Sequence, residues 1–215
     1  MNLSIYRLIK IVKKEFAISF RQRAIFASML MFSLTTLACI SLAIQGAKLE
    51  PELLSALLWV TIFFASSAIN HTFDDEAIIT LKVYGDSQSI LFGKIIYSLI
   101  SMIVMTTILL PTFVILFDCD VAEPLILIVT TFFVICGISG AGTLIAAISS
   151  AASVKNGLFP ILLFPIILPI FLPAIKLTQI SFIGLEISVP LLILMVIYNL
   201  ILIVISSILF DYLWY

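Results

Sequence analysis

Charged side chains are scarce in this sequence. They make up 11% of its 215 residues, while apolar residues make up 63%. A soluble globular domain carries about a quarter charged and about half apolar residues. Water is therefore not the main solvent of this chain, and the composition predicts an integral membrane protein. The formal net charge of −1 gives no reason to expect a nucleic-acid partner.

The sequence also lacks the motifs of nucleotide-binding proteins and of enzymes. No segment fits the glycine-rich pattern that cradles nucleotide phosphates, so we expect any ATP to be bound by another chain. The apolar runs contain almost no titratable side chains, which argues against a catalytic centre, a pump or an ion-coupled carrier. The sequence predicts a non-catalytic membrane subunit.

Histidine and cysteine are too few and too widely spaced to predict a metal site. Cys39, Cys119 and Cys136 show no CxxC spacing and are typical of packing residues. His71 has no second axial partner at a suggestive spacing, and a lone histidine at a helix end is more often a polar terminus than a haem ligand. We expect no cofactor to be bound by this chain, and haem stays open as a transported or handled ligand.

Long apolar runs dominate what is present. A bilayer core about 30 Å thick needs about 20 apolar residues for each helix that crosses it. The chain supplies enough such runs for one all-α transmembrane domain over residues 1–215, with an interfacial helix over 1–23 and six spans. The spans are predicted at about residues 24–44, 52–70, 89–117, 124–150, 157–175 and 190–210.

The amino-terminal segment combines an apolar stripe with a cationic one. Apolar residues recur every three or four positions, as on one face of an α-helix. Such a helix would lie in the membrane interface with its cations near anionic headgroups; a basic segment that only fixes orientation is the alternative. The stripe comprises Ile5, Ile9, Val12, Phe16 and Phe20, and the cations beside it are Arg7, Lys10, Lys14 and Arg21.

Lysine and arginine concentrate in the amino-terminal segment and in the second and fourth loops. The positive-inside rule places these regions on the cytoplasmic side. Both termini then share that side, as an even number of spans requires. The acidic turn with Asp118, Asp120 and Glu123 faces the opposite side.

The longest polar interval, residues 71–94, begins like a short helix. Thr72 and Asp75 resemble a capping box, and Gly85 would end the helix. Such a helix would bind a groove on a partner and carry the partner's motion into the membrane, although a solvated loop with one interfacial turn fits the sequence equally well. The candidate ATPase-coupling residues are Phe73, Asp74, Asp75, Glu76, Ile78, Ile79, Leu81 and Val83.

The fifth predicted span is rich in proline, with Pro160, Pro165, Pro169 and Pro173. Proline removes a helical hydrogen bond, so this span is predicted to bend. The run from Leu158 to Pro169 resembles the proline-spaced pattern of the CcmB family. The basic entry helix, the polar interval that ends at Gly93 and Lys94, and the six-span layout support the resemblance.

The resemblance implies a fold like that of ABC-2 type exporter permeases. It also implies a complex with a separate ATPase of the CcmA type and with CcmC and CcmD, acting on the haem chaperone CcmE. The complex would couple ATP hydrolysis in CcmA to haem export or to release of haem-loaded chaperone during cytochrome c maturation. The membrane would be a bacterial or mitochondrial inner membrane, with both termini on the cytoplasmic or matrix side.

Two other functions stay open at this point. An ABC exporter permease for a lipid or a drug would share the fold and differ in its ATPase. A membrane scaffold without a transport role would bind partners but would leave their ATPase activity unchanged when the acidic residues from Asp74 to Glu76 are reversed in charge.

Overall fold

Seven α-helices make up the protein in the part of the chain described by the computed structural model, residues 2–21, 23–44, 48–70, 87–151 and 159–214. Within those residues there is no β-strand, as the apolar composition predicts. The helices are α1 (Asn2–Arg21), α2 (Arg23–Ile44), α3 (Pro51–Asn70), α4 (Ser87–Leu116), α5 (Pro124–Ala151), α6 (Phe159–Ile183) and α7 (Val189–Trp214).

Among the described residues, five helices are long and apolar enough to cross a membrane. They contain the stretches Phe26–Ile44, Ser87–Leu116, Pro124–Ser149, Phe159–Ile183 and Val189–Tyr212. Helix α3, Pro51–Asn70, contains the shorter apolar stretch Pro51–Ser66. The chain is thus a multi-pass helical membrane protein, and the sixth span stays a prediction.

The helices from α2 to α7 alternate in direction, which gives the bundle two distinct ends. At one end, Ile11 of α1 clusters with Ile90 and Leu91 of α4, Ala147 of α5 and Phe210 of α7. We call this the α1 end. At the other end the Ser41 hydroxyl donates a 2.7 Å hydrogen bond to the Leu116 carbonyl.

The second end carries the acidic turn between α4 and α5, and we call it the acidic-turn end. The Glu123 amide donates to the Ser181 carbonyl at 3.0 Å, and the Ser181 hydroxyl donates to the Glu123 carbonyl at 2.7 Å. These bonds fix the start of α5 to the last turns of α6.

Helix α6 continues past residue 175, where the sequence indicated the end of the fifth span. Lys176 and Gln179 both bind Glu52 at the start of α3, so these polar residues have partners although they lie on an apolar helix. The helix ends at Ile183 because Gly184 follows with φ +78° and donates its amide to the Ile180 carbonyl at 2.9 Å. A glycine in the left-handed conformation is a common helix stop.

Glycines on α5 bring α6 and α7 close in the main core. A Cβ added to Gly137 would lie 2.8 Å from Cδ1 of Ile170 on α6, and one added to Gly140 would lie 2.5 Å from Cδ2 of Leu202 on α7. Small residues let membrane helices approach closely. Close packing matters there because the hydrophobic effect does not drive helices together within lipid. Trp59 of α3 is fully buried in the same core and donates to the Thr178 hydroxyl at 3.0 Å.

Candidate functional site

The predicted coupling segment joins the bundle at the α1 end. Its eight residues, from Phe73 to Val83, lie outside the described residues, as does His71. The two helices that flank it are described: α3 ends at Asn70, and α4 begins at Ser87. The segment is therefore connected along the chain to the end of α3 and to the start of α4.

The first residues of α4 bind the end of α7 through a polar cluster. Ser87 Oγ donates to Asp211 Oδ1, and Gln88 Nε2 donates to Asp211 Oδ2 at 2.6 Å. Ser207 Oγ donates to Gln88 Oε1 at 3.0 Å. An acidic side chain is favoured here because the first amides of a helix lack intrahelical partners and the helix dipole is positive at this end. These four residues form what we call the Asp211 cluster.

Two turns further along, α4 binds α1. Gly93 lies so close to Ile11 that an added Cβ would be 2.7 Å from Ile11 Cγ2. Lys94 Nζ lies 3.4 Å from Glu15 Oε1, and each side chain is only 6% exposed. The rings of Phe16 and Tyr97 meet edge to face with centroids 5.2 Å apart. Helix α1 is thus part of the packed bundle.

The face of α1 that packs on the bundle differs from the predicted apolar stripe. Ile11 and Glu15 are buried, whereas Ile9 of the stripe is 47% exposed. With 3.6 residues per turn, the two faces are roughly a third of a turn apart. Lys10 is exposed and lies 4.5 Å from the centre of the Tyr6 ring, a cation–π contact outside the bundle.

Among the other candidate interfacial residues, Lys14 and Phe16 are half-buried. The side chains of Arg7 and Phe20 lie outside the described part of the chain. Sequence reasoning missed Glu15, although one signal was available: it is the only acidic residue among the first 23, a stretch with six basic residues. An acid in that setting indicates a specific cationic partner.

The prolines of α6 point in different directions. Pro165 and Pro169 are exposed on the outside of the bundle, Pro160 is half-buried and Pro173 is buried. Pro165 and Pro169 leave the carbonyls of Ile161 and Pro165 without their usual helical donors. Close by, the Tyr198 hydroxyl of α7 donates to the Ile166 carbonyl. The Ile166 carbonyl is not one of those that the prolines leave without a donor, so this bond joins α7 to α6 beside the interrupted turns.

The acidic-turn end has a small cavity of about 150 Å³. It is lined by Ser41, Ile44, Lys48, Leu49, Leu54, Leu116, Phe117 and Asp118. In the adjacent turn, burial together with Asp118 and Asp120 raises the pKa of the Cys119 thiol to about 11. The thiol is therefore protonated at neutral pH and is a weak nucleophile.

Within the described ranges, no three His, Cys, Asp or Glu side chains come close enough to hold a metal ion.

Comparison with known proteins gives one match. The family model described as CcmB protein matches residues 6–209, nearly the whole chain. No curated protein and no solved structure matches it.

Proposed function

This chain belongs to the CcmB protein family, and on that premise we propose that it carries ATP-driven motion from a separate CcmA-type ATPase into the membrane. Membership implies a permease subunit of an ABC transporter for haem export in cytochrome c maturation, working with ABC transporter partners. We propose that the ATPase subunit contacts residues 73–83 and that CcmC, CcmD and the haem chaperone CcmE complete the system.

The packing at the α1 end is the observation that carries this proposal. The interval 71–86 continues directly into Ser87, whose hydroxyl binds Asp211 of α7. Within two turns the same helix also contacts α1 through Gly93 and Lys94. A push on the interval would therefore act on three helices at once.

The distribution of charge supports a proposal for the ATPase side of the membrane. Lys10, Lys13 and Lys94 all lie at the α1 end, while Asp118, Asp120 and Glu123 lie at the other. We propose that the α1 end faces the cytoplasm of a bacterium or the mitochondrial matrix, in the inner membrane, in accordance with the positive-inside rule.

Two further elements have proposed roles. Exposed Ile9, Lys10 and Lys13 support α1 as an interfacial helix whose outer faces meet acyl chains and anionic headgroups. In α6, the hydrogen bonds removed by Pro165 and Pro169 make this helix the element that yields when the bundle rearranges. We propose that this chain binds neither ATP nor a resident cofactor. Haem is then the transported cargo, or it stays on the chaperone whose release the motion drives.

Charge reversal in the coupling segment tests the proposal. We expect Asp75→Lys with Glu76→Lys to reduce the amount of ATPase subunit that copurifies in mild detergent and to abolish cytochrome c maturation in cells. The matched control reverses one aspartate and one glutamate at the opposite end, Asp120→Lys with Glu123→Lys, and keeps ATPase binding. Equal ATPase recovery from both variants, with maturation intact, would support a scaffold instead.

A further inference from the structure

The ion pair between Glu15 and Lys94 is buried at the place where α1 meets α4. Its nitrogen and oxygen are 3.4 Å apart, and only 6% of each side chain is exposed. A charge removed from water is costly unless an opposite charge lies beside it. Glu15 and Lys94 therefore stabilise each other in this buried site, and the pair holds α1 to α4 more specifically than apolar contacts alone.

Contacts on both sides of the pair fix the relative position of the two helices. On one side, Ile11 packs against the bare backbone of Gly93. On the other, Phe16 meets Tyr97 edge to face. The three contacts advance along both chains in the same direction, so sliding or rotating α1 would break all of them together.

The start of α4 is held equally firmly on its other flank. Asp211 of α7 accepts hydrogen bonds from Ser87 and Gln88, one to two turns before Lys94. A small apolar cluster, which includes Ile90 and Phe210, fills the space between α1, α4, α7 and the last turns of α5. This cluster is separate from the main core of the bundle.

We propose that Glu15 and Lys94 are positioning residues that fix α1 to the start of α4, so that α1, the first turns of α4 and the end of α7 move as one rigid body. The ion pair sets the rotation of α1 and thereby decides which of its faces are left for the membrane surface. On the further premise of the proposed function, motion that enters at residue 87 moves α1 along the membrane surface.

A disulfide between α1 and α4 provides the measurement. The Cβ added at Gly93 lies 3.1 Å from the Ile11 Cβ, and disulfides need a Cβ separation of about 3.5–4.5 Å, so a small shift suffices. Ile11→Cys also removes the methyl group that would clash. In a chain with Cys39, Cys119 and Cys136 changed to serine, we expect the Ile11→Cys, Gly93→Cys pair to cross-link rapidly on mild oxidation.

Charge variants added to this cysteine pair test the ion pair itself. Glu15→Lys alone and Lys94→Glu alone should slow cross-linking by at least about tenfold, because each places two like charges side by side in a buried site. The swapped pair, Glu15→Lys with Lys94→Glu, should recover most of the rate. If the charge-reversed variants do not accumulate in the membrane, Glu15→Gln replaces them. It keeps the shape of the side chain and removes its charge. Equal rates in all variants, or a swap no better than the single reversals, would overturn the proposal.

The rigid-body claim has its own readout in the assembled complex. ATP hydrolysis should be the same with the disulfide closed and after its reduction, since the cross-link joins parts that already move together. Loss of hydrolysis on oxidation, restored by reductant and absent from the cysteine-free complex, would show that α1 moves against α4. Cross-linking needs neither ATP nor partners, so its result is independent of whether a CcmA-type ATPase copurifies.

Discussion

Among the described residues, each end of the bundle carries one lysine–glutamate pair, and the two pairs differ most in burial. Glu15 and Lys94 at the α1 end are 6% exposed, whereas Glu52 and Lys176 at the acidic-turn end are 59% exposed. The exposed pair is slightly shorter, at 3.1 Å against 3.4 Å. Distance alone would rank the exposed pair as the stronger one.

Solvent reverses that ranking. Water screens the exposed pair, so the pair adds little to stability. Breaking a buried pair leaves an uncompensated charge in the interior and costs about 3–5 kcal/mol. The comparison teaches that the α1 end is held by a contact that tolerates no loss of one partner, while the acidic-turn end is held by contacts that can be exchanged.

The largest effect is expected from Lys94→Met. The substitution leaves Glu15 buried without its cation, and we expect it to lower the free energy of unfolding by about 3–5 kcal/mol. Thermal unfolding in detergent measures this. The double variant with Glu15→Gln should be more stable than Lys94→Met alone, because no lone charge stays buried. If Lys94→Met is as stable as the unsubstituted protein, the buried pair does not stabilise the fold more than the exposed pair does.

A smaller effect is expected from Gly93→Ala. The new methyl group would lie 2.7 Å from Ile11 Cγ2, and such overpacking costs about 1–3 kcal/mol. Adding Ile11→Ala should recover part of the stability, since it makes room for the methyl group. If the stability losses from Gly93→Ala and Ile11→Ala instead simply add, α1 is not held against α4 at this point.

Glu52→Gln should have the smallest effect on stability, because water already screens the charge of this carboxylate. The amide oxygen can still accept from Lys176 or Gln179, which both bind the Glu52 carboxylate now. The same thermal unfolding assay applies, with Lys94→Met as the reference. A loss as large as that of Lys94→Met would mean that the two pairs are equivalent.

The thiol of Cys119, in the acidic turn, has a protonation equilibrium that can be measured. Because its pKa is raised to about 11, the thiolate fraction should rise about tenfold for each pH unit and keep rising above pH 9. With Cys39 and Cys136 changed to serine, the rate of modification by a membrane-impermeant iodoacetamide reports this. Asp118→Asn with Asp120→Asn should lower the pKa and raise the rate at pH 8. A rate that levels off at pH 9 would contradict the assigned environment.

Helix positions could be predicted from the sequence where apolar runs alone decide them. Helices α2 and α5 begin and end within about two residues of the predicted spans, because polar turns and Pro124 bound their apolar runs. The end of α6 could not be predicted, because Lys176 and Gln179 look like loop residues until Glu52, more than a hundred residues away in sequence, is known to bind them.

The candidate site was also only partly predictable, because its contacts join residues that are far apart in the sequence. The pattern in the first 23 residues predicts an amphipathic helix, and α1 is one. It does not predict which face packs on the bundle, since that depends on Gly93 and Lys94. The sequence places Lys94 both at the end of the polar interval and inside the third predicted span; it lies inside α4, where Glu15 offsets its charge. The eight predicted coupling residues lie outside the described part and stay a prediction.

Identification of the ATPase that binds this chain tests the central claim most directly. The measurement is copurification from native membranes in mild detergent, followed by mass spectrometry of the partners and an absorption spectrum for haem. We predict a CcmA-type ATPase together with CcmC, and loss of that ATPase when Asp75 and Glu76 are changed to lysine. Recovery of a different ATPase, or of none, would contradict a coupling role in cytochrome c maturation.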